Sequence, residues 1–302
     1  MLLKATDVPL YVREDSITTG YRQNLSYKGC LNSWFWLHNE TVNIWSHFLG
    51  FLFFLYFLVR ILLCPPTNVQ SHFELLPIII QLISYQFCML SSSLFHTFSC
   101  HSENAHKSWL QFDHFGIFFA LFGTYISFIC DTFTCHPGWK TLHLSVVVFI
   151  FAVIGYLRYS PTLDSSPRTT KIQLFFFVAM GMYALIPFAH WACLEGGLSS
   201  LAVQNKLNAM MVPYGIAGIG LCFYVSHFPE KVFNTGQVDV FGASHQVWHV
   251  FVFVGMVYWY LESAHTLFSR ACSPLHIVDD VDIPKLLLNS TTAALSLVKG
   301  IF

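Results

Sequence analysis

Seven long apolar stretches alternate with short polar joints along this chain. Each stretch is long enough to cross a bilayer, which takes about 20 mostly apolar residues. Because backbone groups in lipid must bond internally, each crossing is predicted to be a helix. The sequence therefore predicts an all-α fold, a seven-transmembrane helix bundle with spans at 44–64, 75–98, 109–130, 142–159, 172–194, 208–226 and 243–268.

The distribution of Lys and Arg over the joints predicts the orientation of this bundle. With the N-terminus inside, the cytosolic side holds nine of them: Lys4, Arg13, Arg22, Lys28, Lys107, Arg158, Arg168, Lys171 and Lys231. The outer side holds four, Arg60, Lys140, Lys206 and Arg270, when two lysines far down the C-terminal tail are set aside. Basic residues accumulate in cytosolic loops, so the N-terminus is predicted to be cytosolic and the C-terminus outside or lumenal.

Three regions follow from the spans and their orientation. Residues 1–43 form a cytosolic N-terminal segment with an interfacial helix, and residues 44–268 form the seven-transmembrane domain. Residues 269–302 form an external or lumenal C-terminal tail.

The composition excludes several classes of protein. Hydrophobic residues make up 55% of the 302 residues and charged residues only 10%, whereas soluble domains carry about 25% charged residues. The formal net charge of −1 gives no sign of a nucleic-acid partner. The nine cysteines include no C-x-x-C pair, which argues against a zinc knuckle or a disulfide scaffold.

Polar residues inside three spans mark the candidate chemistry. His96 lies near the end of span two, with Ser92 one helical turn earlier, and Asp113 lies in the first turns of span three. His245 and His249 lie in the first turns of span seven. Because consecutive spans alternate in direction, these three span ends lie on the same side, which is cytosolic in the predicted orientation.

The spacing of these residues favours a metal site. His245 and His249, four residues apart, share one helix face and can bind one ion together, with His96 as a third imidazole. Three protein nitrogens and one water are typical of catalytic zinc. Asp113 is predicted to orient or deprotonate that water, or to bind the metal directly. Ser92 is predicted to donate a hydrogen bond, either to a neighbouring residue of the site or to a substrate carbonyl.

Other polar residues near the span ends are interpreted as interfacial, bonded to backbone or water. For Ser92 a different alternative stays open, because serines in helices often bond back to the carbonyl four residues earlier. The residues interpreted as interfacial are Arg22, Glu40, His47, His114, His190 and His227.

Five motifs, in order and at matching spacing, resemble the progestin and adipoQ receptor family over about residues 20 to 265. They are "HNETVNIWSH" (38–47), "SSSLFHTFSCHSE" (91–103), "LQFDHFGI" (110–117), "VSHFPEKVF" (225–233) and "GASHQVWHV" (242–250). The second and last are similar to the adiponectin receptors, and "GASHQVWH" with the short N-terminus is most similar to the Golgi-resident, Raf-kinase-tethering branch.

The resemblance implies a zinc ion held by His96, His245 and His249, with Asp113 and Ser92 as catalytic residues. It implies a membrane receptor or signalling regulator of the Golgi or plasma membrane that hydrolyses a lipid amide such as ceramide. The implied ligands are a ceramide-like lipid or a steroid in the membrane and a protein ligand outside, with a kinase or adaptor at the cytosolic N-terminal segment.

A second function from another class stays open. It is a Golgi-membrane scaffold that tethers a Raf-type kinase and restrains its signalling, with a purely structural zinc ion. Under this interpretation the protein is not an enzyme.

Overall fold

Seven stretches of helix that are long and apolar enough to cross a membrane carry the fold. The computed structural model describes residues 2–66, 72–159, 168–233 and 236–269. Its α-helices are α1 (Tyr27–Asn32), α2 (Thr41–Leu63), α3 (Leu76–Phe98), α4 (Glu103–Thr132), α5 (Pro137–Tyr159), α6 (Arg168–Tyr183), α7 (Leu185–Leu194), α8 (Leu201–Ser226) and α9 (Ser244–Ser269). Seven candidate membrane spans result, with α6 and α7 together providing the fifth. The prediction of an all-α, seven-transmembrane bundle is confirmed.

Two helices begin well before the predicted spans, and polar residues lie in the first two turns of each. α4 begins at Glu103, six residues before the predicted 109, and α8 begins at Leu201, seven before 208. The start of α4 has a local cause, since the Ser102 hydroxyl accepts a hydrogen bond from the backbone N–H of Ala105 at 3.3 Å. Such N-caps satisfy a donor that the helix itself leaves free, whatever the hydropathy of the turn.

The fifth span is broken into two helices. α6 ends at Tyr183 and α7 begins at Leu185, with Ala184 between them. Pro187 has no N–H to donate to the carbonyl of Tyr183, and its ring crowds that carbonyl. The structure accordingly places a helix boundary just before this proline.

Two glycines allow α4 to lie very close to α3. A Cβ placed on Gly116 would come within 2.2 Å of the Ser91 hydroxyl, and one on Gly123 within 1.9 Å of the Ser84 hydroxyl. Small residues at such a crossing let two membrane helices approach closely. The crossing fixes the relative position of the two helices that carry Ser92, His96 and Asp113.

The N-terminal segment folds back over the end of the bundle where these residues lie. Thr18 and Thr19 donate four hydrogen bonds, two from their backbones and two from their hydroxyls, to one oxygen of Asp239 at 2.7–3.0 Å. α1 falls in the region predicted to carry the interfacial helix, and Phe35 and Leu37 just after it are exposed. Except for Ser269, the predicted tail of residues 269–302 lies outside the described residues.

Candidate metal centre

Three histidines from two helices meet at one end of the bundle. His96 lies in the last turn of α3, and His245 and His249 lie in the first two turns of α9. One side-chain nitrogen from each lies within 4.8 Å of the other two. His96 and His249 are buried, and His245 is half-buried. The structure thus brings together the three residues that the sequence proposed as ligands, in an arrangement that can hold a metal ion.

The hydrogen bonds of His96 fit a metal ligand. Its Nδ1 donates to Glu40 Oε2 at 2.7 Å, which leaves Nε2 as the basic nitrogen. Within the described part of the chain, this buried Nε2 has no hydrogen-bond partner. A buried polar atom without a partner costs about 1–3 kcal/mol, and a metal ion at this position would remove that cost. Neutral imidazole is also a ligand that zinc prefers.

Glu40, interpreted from the sequence as interfacial and bonded to backbone or water, instead pairs with two side chains at the histidine site. One of its oxygens accepts hydrogen bonds from both His96 Nδ1 and Asn43 Nδ2, each at 2.7 Å. A carboxylate behind a ligating histidine fixes the imidazole tautomer and orientation and raises its basicity. Glu40, Asn43 and His47 follow one another at spacings of three and four, so they share one face at the start of α2. That spacing was the signal available in the sequence.

His47 also belongs to this centre rather than to the interface. Its ring stacks on the His249 ring with centroids 3.8 Å apart, and its Nε2 lies 3.4 Å from the His249 carbonyl oxygen. It is 4% exposed. The stack restricts rotation of the His249 imidazole, so α2 contributes orientation to both buried histidines of the centre.

Asp113 and Ser92 lie side by side next to the histidines. Ser92 is buried on α3, and its hydroxyl lies close to the Asp113 carboxyl group on α4. Among the described residues, the group able to hold a metal consists of the three histidines and does not include Asp113. The position of Asp113 beside that group suits a residue that acts on a water or a substrate.

Arg22, interpreted from the sequence as interfacial, is buried at the end of α3. Its guanidinium donates to the carbonyl oxygen of His96 at 2.6 Å and to that of Thr97 at 3.4 Å. It also donates to the Ser33 hydroxyl at 2.7 Å. The last carbonyls of a helix have no partner within the helix and carry partial negative charge, so a cation is favourable there. Arg22 therefore ties the N-terminal segment to the turn that carries His96.

A cavity of about 280 Å³ connects the centre with the N-terminal segment. His96, His245 and Glu40 line it on the side of the bundle, and Glu14 lines it on the other side. Burial raises the pKa of Glu14 well above its usual value, and the neighbouring carboxylates of Glu40 and Glu230 raise it further. The cavity gives a polar small group a route to the histidines from the N-terminal side of the bundle.

Comparisons with known proteins agree with the heptahelical architecture. The sequence profile described as haemolysin-III related matches residues 35–260. A Mus musculus protein named progestin and adipoQ receptor family member 3 is 33% identical over 270 residues, which cover 88% of this chain and 86% of that protein. Heptahelical transmembrane protein 1 of Arabidopsis thaliana is 30% identical, covering 84% of this chain and 77% of its own. The adiponectin receptor protein of Drosophila melanogaster is 29% identical, covering 82% and 55%.

Proposed function

Since this chain belongs to the haemolysin-III-related family and, within it, to the progestin and adipoQ receptor family, we propose that it is a membrane receptor whose three-histidine centre binds zinc and hydrolyses a lipid amide such as ceramide. The observation that carries this proposal is the pairing of Glu40 with His96, which leaves a buried imidazole nitrogen with no partner among the described residues, beside His245 and His249.

Different residues of the centre have different roles in amide hydrolysis. A bound zinc ion supplies a Lewis acid for the amide carbonyl and lowers the pKa of a water molecule. Asp113 takes the proton of the attacking water as general base, and the Ser92 hydroxyl donates to Asp113 and fixes its orientation. Asp113 then returns the proton to the amide nitrogen as the carbon–nitrogen bond breaks. The products are a fatty acid and an amine.

The surroundings of the centre suit an amphiphilic substrate. The cavity admits the polar head from the side of the N-terminal segment, and the apolar helices offer space for an acyl chain in the bilayer. In the orientation predicted from the basic residues, this side is cytosolic. A ligand bound at the opposite face, a protein outside or a steroid in the membrane, then controls the reaction through the helices.

The test is ceramide turnover by the purified full-length protein in lipid nanodiscs, with zinc content measured in parallel by mass spectrometry. The wild type is expected to release fatty acid. Asp113→Asn is expected to keep its zinc and its thermal stability but to lose turnover by about 10²–10⁴-fold, the usual contribution of a general base. His249→Ala is expected to lose zinc. Equal turnover in all three proteins would exclude hydrolysis at this centre.

The Asp113→Asn variant also distinguishes hydrolysis from the scaffold interpretation, in which a Golgi protein tethers a Raf-type kinase and the zinc ion is structural. Structural zinc sites usually have four protein ligands, whereas the group found among the described residues offers three. That observation favours the hydrolase. If the scaffold interpretation holds, Asp113→Asn leaves both kinase co-precipitation and Golgi location unchanged, and the wild type shows no turnover.

A further inference from the structure

Two buried cysteines face each other between the N-terminal segment and the turn that follows α3. Cys30 on α1 and Cys100 between α3 and α4 have their Sγ atoms 3.7 Å apart, and the residues are 0% and 3% exposed. Both are free thiols. We propose that Cys30 and Cys100 are a redox-sensitive pair that peroxide converts into a reversible disulfide, which locks α1 onto the metal-bearing end of α3.

Cys100 is the reactive member of the pair. Its side chain lines the cavity that leads to the metal centre, so a small oxidant reaches it without unfolding. The hydrogen bond between the two thiols lowers the pKa of Cys100 to about 7, against the effect of burial and with help from the Arg22 guanidinium. The same hydrogen bond and burial raise the pKa of Cys30, which therefore stays neutral. A thiolate is the nucleophile in such oxidations.

The chemistry is a two-step oxidation by hydrogen peroxide. The Cys100 thiolate attacks one peroxide oxygen and forms a sulfenic acid, while the oxygen–oxygen bond breaks and hydroxide leaves. That hydroxide becomes water with the proton that the Cys100 thiol has released. The Cys30 sulfur then attacks the Cys100 sulfur, and the sulfenic oxygen leaves as a second water with the Cys30 proton. Two thiols are oxidised and one peroxide is reduced to two waters, and a dithiol reductant reverses the bond.

The geometry requires little movement. A disulfide bond is about 2.05 Å long, so the two sulfurs must approach by about 1.7 Å. Ser33, one turn after Cys30, donates to the Cys30 carbonyl at 2.6 Å and accepts a hydrogen bond from Arg22. Arg22 in turn bonds to the carbonyl of His96. Oxidation thus adds a disulfide between α1 and the end of α3, beside the hydrogen bonds through which Arg22 already joins them.

The pair is tested by treating the purified full-length protein with hydrogen peroxide, blocking free thiols with iodoacetamide and mapping peptides without reduction. A cross-linked peptide containing Cys30 and Cys100 is expected, and dithiothreitol is expected to remove it. Hydrogen exchange at residues 27–32 is expected to slow in the oxidised protein. Cys30→Ser is expected to stop at the Cys100 sulfenic acid, which a dimedone probe detects. Cys222→Ser, which removes an exposed thiol, is the matched control and is expected to behave as the wild type.

Two results would overturn the proposal. One is recovery of Cys30 and Cys100 as separately alkylated peptides after peroxide treatment, in the wild type and in the Cys222→Ser control alike. The other is a cross-link that leaves hydrogen exchange at residues 27–32 unchanged, because α1 would then not be locked. The exchange pattern of reduced Cys30→Ser and Cys100→Ser proteins must match that of the wild type, which separates loss of the disulfide from loss of the fold.

Discussion

Replacing Glu40 by glutamine tests whether the carboxylate behind His96 supports metal binding. The substitution keeps the shape of the side chain and an oxygen that can accept from His96 Nδ1, and it removes the negative charge. In the structure this contact is 2.7 Å long, with the His96 and Glu40 side chains 2% and 13% exposed. At that burial water screens the contact less than it would screen a surface pair, so the charge contributes to the contact with the imidazole.

The size of the effect follows from the kind of bond that changes. A hydrogen bond to a charged group contributes about 1.5–3 kcal/mol and one between neutral groups about 1 kcal/mol. The loss of charge is therefore expected to cost about 0.5–2 kcal/mol of zinc-binding free energy. At 1.4 kcal/mol per tenfold, this is roughly a tenfold weaker affinity. Glu40→Ala, which also removes the hydrogen-bond acceptor, is expected to weaken zinc affinity by close to 100-fold, the upper range for such contacts.

The assay is competition for zinc between the purified protein and a chromophoric chelator, with thermal stability of the metal-free form measured alongside. Glu103→Gln is the matched control. Its carboxylate lies on the same side of the bundle and pairs with Lys107 at 2.7 Å, but it is 57% exposed. Zinc affinity of Glu40→Gln equal to that of the wild type and of Glu103→Gln would refute the reasoning. A loss of affinity with unchanged stability of the metal-free form would support it.

Three further predictions concern packing, the N-terminal segment and orientation. Gly116→Ala places a methyl group 2.2 Å from the Ser91 hydroxyl and is expected to lower the free energy of unfolding by about 1–3 kcal/mol; an unchanged melting temperature in detergent would contradict this. Asp239→Ala removes the acceptor of four hydrogen bonds from residues 18–19 and is expected to speed hydrogen exchange there without changing exchange in α3. Asn24, in an exposed Asn-Leu-Ser sequon, is expected to stay unglycosylated in cells because the basic residues predict that its side is cytosolic; a mobility shift after glycosidase treatment would reverse the orientation.

The sequence was sufficient for the position of the three histidines because two simple rules determine it. Hydropathy and length predict the spans, and alternating direction then places the end of α3 and the start of α9 on one side. Neither rule depends on side-chain packing. His96, His245 and His249 could therefore be grouped without knowing how the helices rotate.

Glu40 and His47 were missed because their roles depend on helix rotation and packing. A carboxylate just before an apolar run is usually solvated at the interface, and the hydropathy of α2 is the same whichever way the helix is turned. The role of Glu40 arises only because the start of α2 lies against the end of α3, where it meets His96 Nδ1. The N-terminal segment is a similar case, since the bonds from Thr18 and Thr19 to Asp239 join residues about 220 positions apart.

These contacts link two equilibria: the packing of the N-terminal segment on the bundle and the proposed binding of zinc at the centre. Arg22 holds the carbonyl of His96, and Glu40, between the N-terminal segment and α2, holds its imidazole. If zinc orders His96, it strengthens both contacts and stabilises the segment against the bundle. By linkage, a partner that binds the released segment must weaken zinc binding by the same free energy. If the proposed zinc binding holds, a partner of the N-terminal segment would regulate the centre without contacting a ligand, and His96 would couple the two equilibria.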